Sequence, residues 1–172
     1  MNDIIIKTLQ TQDAAPLLQF ELENRAWFEQ YIAPRDESFY TPHGVQRHIE
    51  HYLDGYANGT WHPCLLLDTG GRVVGRANLK DINRHTASAE AGYRIARDAA
   101  GQGLATRALQ HLIALAQEQW RLQQLQAYVT DNNLASVRVL NKCAFVQGPY
   151  QDGMECVAGT LYGGHQFTRT LR

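Results

Sequence analysis

A glycine turn between a strand pattern and a helix pattern is the feature that most constrains the fold of this chain. Residues 88–96 have the pattern of a strand and residues 104–120 that of an amphipathic helix, and Gly101-Gln102-Gly103 lies between them. A helix N-terminus carries unpaired backbone N–H groups and a partial positive charge, and glycine lets an anion approach that backbone closely. The turn therefore predicts a binding site for a phosphorylated ligand.

Two other phosphate-binding motifs fit this turn poorly. A P-loop requires Lys and then Ser or Thr after its glycines, whereas Leu104 follows Gly103 here. A dinucleotide-binding fold turns almost directly off its strand and needs a third glycine, but five residues separate Ile95 from Gly101, and Thr106 takes the third position. A nicotinamide-dependent dehydrogenase is therefore the weaker alternative.

The periodicity of apolar residues predicts one domain over residues 1–172, of the mixed α/β (α+β) class. Helical and strand patterns follow one another in the order βαα-βββ-αβ-αββ. The predicted elements are a strand at 4–9, helices at 13–24 and 44–56, strands at 64–68, 73–79 and 88–96, a helix at 104–120, a strand at 125–130, a helix at 133–142, a strand from 144 to 147, and a hairpin of 154–157 with 166–171 around a glycine-rich turn at 158–164.

Charge and cysteine content exclude several classes of protein. The formal net charge is −1 and no run of Lys or Arg occurs, so we expect no nucleic-acid partner. Three cysteines without a CxxC pair indicate neither a disulfide framework nor a zinc knuckle. Residues 1–7 lack the pattern of a signal peptide, and no apolar run is long enough to cross a membrane. A cytoplasmic protein without a membrane partner is expected.

Three segments carry a resemblance to a known family. Residues 100–105 are similar to the pyrophosphate motif Q/R-x-x-G-x-G/A, residues 90–95 look like a splayed central strand, and residues 133–145 are similar to an N-x-x-S…K-x-G-F segment. Together they resemble the GNAT superfamily of acyl-CoA-dependent N-acetyltransferases, in particular the branch that includes the ribosomal-protein N-terminal acetyltransferases. The chain departs from the motifs at Ala100, in place of Gln or Arg, and at Ala144, in place of glycine.

The resemblance implies a fold and an activity. The fold would be a twisted, mostly antiparallel mixed sheet of about seven strands, flanked by about four helices and splayed between its two central strands, 88–96 and 125–130. Acetyl-CoA would lie in that gap, and its acetyl group would pass directly to a primary amine, of a protein N-terminus or a small molecule, in a ternary complex. No metal is implied. A non-catalytic acyl-CoA sensor on the same fold is the alternative.

The resemblance also implies how the cofactor would be held. The pantetheine amides would pair with the backbone of residues 93–97 like an added strand, and the pyrophosphate would accept hydrogen bonds from the N–H groups of residues 101–106. Arg107 is a further candidate for the phosphates. The implied cofactor-binding residues are Tyr93, Ile95, Ala96, Arg97, Gly101, Gln102, Gly103, Leu104, Ala105, Thr106, Asn133, Ser136, Arg138 and Lys142. Asn133 is equally well placed to cap the helix that follows it.

The chemistry requires a base, because an ammonium group is not a nucleophile. Glu90 is our candidate for the base, directly or through water. The alternative is a strand glutamate that faces solvent or pairs with a neighbouring cation. His85 and His165 are weaker candidates. Ser136 is the candidate for hydrogen bonding to, or protonating, the leaving sulfur, and a backbone N–H near Ile95 would meet the oxyanion.

Other reactive side chains have simpler interpretations. Cys143 lies at the end of a helix and is expected in the core. His48 and His51 share a helix face, but the sequence offers no third metal ligand. We therefore expect neither covalent catalysis nor a metal site.

The acceptor pocket would lie in the aromatic-rich residues 20–40 and the final hairpin. Trp27, Phe28, Tyr31 and Arg35 are candidate substrate-binding residues, although the aromatic rings fit the packing of a helical flap equally well. The carboxylates expected to receive a cationic amine are those of Glu21, Glu23, Glu29, Asp36 and Glu37. The identity of the amine, and whether the protein is a monomer or a homodimer, stay open.

Overall fold

Within residues 3–172, seven strands form one sheet, and five α-helices pack around it. The computed structural model describes residues 3–172, so Met1 and Asn2 of the predicted domain lie outside the described part. The strands are β1 (Ile5–Thr8), β2 (His62–Leu67), β3 (Val73–Asn83), β4 (Ser88–Ile95), β5 (Gln124–Thr130), β6 (Val146–Val157) and β7 (Thr160–Thr170). The helices are α1 (Ala14–Glu23), α2 (Arg25–Phe28), α3 (Pro42–Asn58), α4 (Leu104–Glu118) and α5 (Leu134–Lys142).

The sheet opens between its two central strands. Its order is β1-β2-β3-β4-β5-β7-β6, and every neighbouring pair is antiparallel except β4 and β5, which are parallel. Residues 88–90 of β4 pair with residues 124–126 of β5, and the ladder ends there. Beyond Glu90 the strands separate, which confirms the predicted splay.

The helices cover both faces of the sheet. Side chains alternate along a strand, so Tyr93 and Arg94 point to opposite faces of β4. Arg94 approaches Glu21 of α1, whereas the Tyr93 hydroxyl approaches Ser136 of α5. Hence α1, and α3 packed against it, lie on one face, and α5, with α4 packed against it, lies on the other. No helix among residues 3–172 is long and apolar enough to cross a membrane.

Sequence patterns predicted the central elements well. The predicted long helix at 104–120 is α4, whose stripe of Ala108, Leu109 and Leu112 is fully buried. The predicted helix at 44–56 begins two residues earlier, because Thr41 Oγ1 accepts a hydrogen bond from the Gly44 N–H at 3.0 Å and caps the helix there. The fifth helix, beyond the four expected, is the short α2.

The C-terminal hairpin was predicted incorrectly. The chain forms one long strand, β6, and turns at Ala158 and Gly159 alone, both with positive φ (49° and 80°), instead of over residues 158–164. The two glycines that suggested a longer turn lie inside β7, and a Cβ on Gly163 would collide with the hydroxyl of Tyr150. Those glycines serve close packing within the sheet.

A buried histidine joins the first strands to the end of α4. His62 is 2% exposed, and its Nδ1 accepts a hydrogen bond from the Trp120 indole at 2.9 Å. Its Nε2 lies 2.9 Å from the hydroxyl of Thr8, so the neutral ring with a proton on Nε2 satisfies both partners. Burial, with a smaller contribution from His111, lowers the pKa of His62 to about 4.

Candidate active site

The glycine turn forms an open cradle at the start of α4. Gly101 and Gly103 have φ values of 74° and 78°, in the left-handed region that favours glycine. A Cβ added to either residue would meet no other atom within 4 Å, so the space in front of the turn is empty of protein. The N-cap residue of α4 is Gly103 itself, and no side chain from it covers the N–H groups of the first turn.

A cavity of about 450 Å³ opens in front of this cradle, within the size range of small-molecule sites. It brings together most of the predicted cofactor residues: Tyr93, Ile95, Gly101, Gly103, Leu104, Ala105, Thr106, Asn133, Ser136 and Lys142. Trp27, Phe28 and Tyr31, predicted for the acceptor, also line this first cavity. Lining residues that the sequence analysis had not named as cofactor or acceptor residues are Ile32, Arg94, Ala99, Ala100, Ala135 and Val139.

Four predicted cofactor residues do not line the first cavity. Ala96 is buried, and its N–H donates to Val74 on the β3 side of the strand. The side chains of Arg97, Gln102 and Arg138 are exposed to solvent outside the cavity. The sequence motif could not distinguish these residues from the neighbours that line the cavity, because the periodicity of the strand or helix decides which side chains face inward.

The free edge of β4 is also less open than expected. The Ile95 carbonyl accepts a hydrogen bond from the Trp27 indole N–H at 3.3 Å. The Arg97 N–H donates to Asn24 Oδ1 at 2.9 Å. Two backbone groups in the segment expected to pair with pantetheine therefore already have partners on α2 and at the end of α1.

The N-terminus of α5 faces the opening of the sheet. Asn133 Oδ1 accepts a hydrogen bond from the Ser136 N–H at 3.2 Å, so Asn133 caps the helix. The Tyr93 hydroxyl donates to the Ser136 carbonyl at 3.5 Å, and burial raises the pKa of Tyr93 to about 12. The hydroxyl of Tyr93 is a polar group at this position that the sequence did not indicate, because the motif concerns only its backbone.

A second cavity, of about 280 Å³, lies on the α1–α3 side of the sheet. It shares several lining residues with the first cavity, so the two spaces meet at the gap between β4 and β5. The shared residues are Tyr31, Ile32, Tyr93, Arg94, Asn133 and Ser136. Arg35, also predicted for the acceptor, lines the second cavity.

Three facing pairs of residues from β3 and β4 form one wall of the second cavity. Arg76 is opposite Arg94, Asn78 is opposite Gly92, and Lys80 is opposite Glu90. The sequence signal for this wall was the spacing of Arg76, Asn78 and Lys80 at every second position of a strand that is otherwise mostly buried.

Glu90 has a charged partner. Its Oε1 lies 2.9 Å from Lys80 Nζ, and its side chain is 25% exposed. The arrangement is the one in which a strand glutamate pairs with a neighbouring cation. It nevertheless lines the second cavity, so its carboxylate can act there.

Glu21 lies at the centre of a buried cluster of basic groups. It is 1% exposed and lies 2.7 Å from Arg76, 3.6 Å from Arg94 and 3.8 Å from Arg35. Burial alone would raise the pKa of Glu21, but the three guanidinium groups outweigh it, and the pKa falls below its ordinary value. Glu21 is therefore ionised.

His48 is held neutral beside the same cluster. Its Nε2 lies 2.8 Å from Arg76 Nη2, which must be the donor, since a guanidinium has no acceptor. Burial lowers the pKa of His48 to about 2, and the repulsion from Arg76, Arg35 and Arg94 acts in the same direction.

The five carboxylates of residues 20–40 that we expected to receive a cationic amine have other partners in this structure. None of the five lines either cavity. Glu21 is buried among arginines, Glu23 accepts from Gln19, Glu29 and Glu37 accept from Arg25, and Asp36 accepts from the Ser38 N–H. The sequence shows that the segment is rich in carboxylates, but it does not show which of them pair with other side chains once the chain has folded.

The alternative bases also lie away from the cavities. His85 is exposed in the turn between β3 and β4. His165 belongs to β7, where its ring lies 3.1 Å from the Gly148 carbonyl. Cys143 is 4% exposed, which confirms its predicted place in the core, and burial raises the pKa of its thiol.

The mixed sheet of this protein is thus split between two parallel strands, with a glycine cradle on one face and a second cavity on the other. The chain belongs to the acetyltransferase (GNAT) domain family, whose model matches residues 3–146.

Known proteins with the same fold include enzymes with different acceptors. The probable N-acetyltransferase YjcK of Bacillus subtilis is 29% identical over 144 residues, which cover 83% of this chain and 80% of the relative. The ribosomal-protein-S5-alanine acetyltransferase of Vibrio fischeri superposes with a TM-score of 0.94, at 17% identity, over 99% of this chain and 94% of its own. A spermidine N-acetyltransferase of Vibrio cholerae, in complex with CoA and spermine, superposes with a TM-score of 0.82 at 17% identity. The match covers 97% of this chain and 95% of that enzyme.

Proposed function

We propose that this protein transfers the acetyl group of acetyl-CoA to a primary amine by direct attack in a ternary complex. The observation that carries the proposal is the meeting of the two cavities at the gap between β4 and β5. A cofactor in the first cavity and an amine in the second approach the same gap from opposite faces of the sheet. Direct transfer needs this arrangement, because the amine must reach the thioester carbonyl.

On the cofactor side, the chain offers backbone donors. The N–H groups of residues 101–106 bind the pyrophosphate, where the partial positive charge at the start of α4 adds to their effect. Lys142, one of the predicted basic residues, lines the same cavity and pairs with the phosphates. The free edge of β4 orients the pantetheine arm, which replaces the Trp27 indole at the Ile95 carbonyl.

On the acceptor side, Glu90 and the hydroxyl groups at the gap carry the proton transfers. Glu90 accepts the proton of the ammonium group through water, from its position in the wall of the second cavity. Ser136 hydrogen-bonds to the leaving sulfur, and Tyr93, which keeps its proton at neutral pH, is a second donor nearby. The backbone N–H of Ile95 meets the oxyanion.

The acceptor class is a protein N-terminal α-amine or a small-molecule amine. One structural relative is named as a ribosomal L7/L12 alpha-N-protein acetyltransferase and another as a spermidine N-acetyltransferase. We assign the protein to the cytoplasm, where acetyl-CoA is its co-substrate, as a monomer or homodimer that acts on neither nucleic acid nor membrane.

A thiol-release assay tests the proposal. The protein is incubated with acetyl-CoA and a panel of peptides, amino acids, polyamines and other amines, and free CoA is measured with a thiol reagent. We expect release that depends on at least one amine. Calorimetric binding of CoA without turnover across a broad panel would contradict catalysis and leave the acyl-CoA sensor.

A further inference from the structure

The second cavity carries an excess of positive charge at the end that faces α1 and α3. Its charged lining residues are Arg35, Arg76, Lys80, Glu90, Arg94 and Glu155. Lys80 and Glu90 neutralise one another in their 2.9 Å ion pair. At the opposite end, three guanidinium groups share the single carboxylate of Glu21.

Two of those three guanidinium groups have donors to spare. Arg35 and Arg94 lie 3.8 Å and 3.6 Å from Glu21, beyond hydrogen-bond distance, and neither donates a hydrogen bond to another residue in the described part of the chain. Arg94 instead lies over the ring of Phe28, and Arg35 over that of Phe39. Their side chains are 26% and 21% exposed, so both remain accessible from the cavity.

The electrostatics of the cluster favour an added anion. Burial lowers the pKa of Arg94 to about 10; Glu21 opposes this shift, and Arg35 and Arg76 reinforce it. In addition, Arg76 Nε is buried and has no hydrogen-bond partner among the described residues. A carboxylate between Arg35 and Arg94 would pair with both cations and reduce their mutual repulsion.

The middle of the same wall provides a place for an amine. Asn78 Oδ1 is a second buried polar atom without a partner among residues 3–172. Gly92 opposite it has no side chain of its own, and a Cβ there would lie 3.6 Å from Lys80 Cε, in ordinary contact. Facing pairs two residues apart along a strand are separated by about 7 Å, so Asn78 lies about that far from the Arg76–Arg94 pair. The spacing fits a compact molecule with an amine at one end and an anion at the other.

We propose that the acceptor amine of this enzyme is accompanied by a carboxylate, which Arg35 and Arg94 bind while Asn78 Oδ1 accepts a hydrogen bond from the amine. This inference rests on the proposed acetyltransferase function and selects among its acceptors. The carboxylate belongs either to a free ω-amino acid, whose amine and carboxylate lie at opposite ends of the molecule, or to an acidic residue next to a peptide N-terminus. A polyamine is disfavoured, because its additional ammonium group would lie against the arginine cluster.

Matched acceptor pairs test the inference. In the first pair, 5-aminovalerate and cadaverine have the same chain length and differ in a carboxylate against an ammonium group. In the second pair, two peptides have the same sequence except at the position after the N-terminal residue, which is Glu in one peptide and Gln in the other. We measure kcat/KM by thiol release, and the stabilisation of the CoA-saturated protein against heat by each molecule. We expect a preference of about tenfold to a hundredfold for the carboxylate member of at least one pair.

Variants assign that preference to the arginines. Arg35→Gln and Arg94→Gln should each reduce the carboxylate preference about tenfold, whereas Arg72→Gln, on the surface beside Asp68 and Asp98, should leave it unchanged. A merely structural role would lower the rates of both pair members equally and leave their ratio intact, which would overturn the inference.

The turnover and heat-stability measurements distinguish a failure of this inference from a failure of the proposed acetyltransferase function. Turnover with no preference, or with a preference for cadaverine, would overturn the inference and leave the acetyltransferase function standing. Thermal stabilisation by the carboxylate member without any turnover would support the binding site and contradict the proposed function.

Discussion

Replacement of Gly103 by leucine is the sharpest test of the cofactor site, because the chain contains a matched control. Gly103 has φ 78°, and Gly71, in the β2–β3 hairpin turn, has φ 81°. In both positions an added Cβ would meet no atom within 4 Å. The first carbon of a new side chain is therefore accommodated equally well at both positions.

The two variants should be destabilised equally, but only Gly103→Leu should bind CoA more weakly. A non-glycine residue in the left-handed region costs about 1–2 kcal/mol, so both free energies of unfolding should fall by that amount, with a decrease in Tm of roughly 2–8 °C. At Gly103 alone the new side chain occupies the space of the pyrophosphate. Loss of one hydrogen bond to a charged group costs about 1.5–3 kcal/mol, which weakens CoA binding roughly tenfold to more than a hundredfold.

Isothermal titration with CoA and urea denaturation measure the two quantities. Wild type and Gly71→Leu should bind CoA equally, and both variants should show similar urea midpoints. If Gly103→Leu binds CoA as tightly as Gly71→Leu does, the pyrophosphate does not lie on the turn, and the assignment of the first cavity is wrong.

Three further predictions concern catalysis and pH. Glu90→Gln should lower kcat most at low pH, where few acceptor amines are already neutral; an unchanged pH profile of kcat would assign the base to water or a histidine. Ser136→Ala should lower kcat and leave the stability of α5 unchanged, because the Ser136 backbone N–H still donates to Asn133 Oδ1; equal kcat would exclude the hydroxyl from the reaction. The pKa of His62 is about 4 in the folded chain and 6.5 ordinarily, so the unfolded chain binds the proton first as pH falls, and stability is lost between pH 6.5 and 4. His62→Gln should remove about 2 kcal/mol of the loss between pH 7 and pH 5, measured by urea denaturation, and an unchanged pH slope would contradict this assignment.

Local patterns in the sequence were sufficient for most of the fold. The apolar period of α4 and the capping Asn133 are properties of neighbouring residues, and both were predicted. The cradle could also be predicted, because a glycine turn before a helix is a local feature. The incorrectly predicted turn at 158–164 shows the limit: Gly163 is required by Tyr150, which is adjacent only across the β6–β7 ladder.

The charged part of the site could not be predicted for the same reason. Glu21 and Arg76 are 55 residues apart in the chain, and only the packing of α1 on β3 brings them together. A carboxylate among aromatic residues was a reasonable candidate for an amine site while its partners were unknown. With three guanidinium groups around it, Glu21 stabilises a basic cluster, and the electrostatic preference of the cavity has the opposite sign.

The gap between β4 and β5 connects the fold to the proposed reaction through backbone hydrogen bonds. Beyond Glu90, β4 has no neighbouring strand on one side, so its N–H and C=O groups there need other partners. Trp27 and Asn24 supply two of them, at Ile95 and Arg97. An extended ligand along this edge exchanges such side-chain bonds for its own amide bonds, so the pairing contributes orientation more than affinity. We therefore expect the affinity for the cofactor to come mainly from the cradle, where no side chain of the N-cap residue covers the donors of α4.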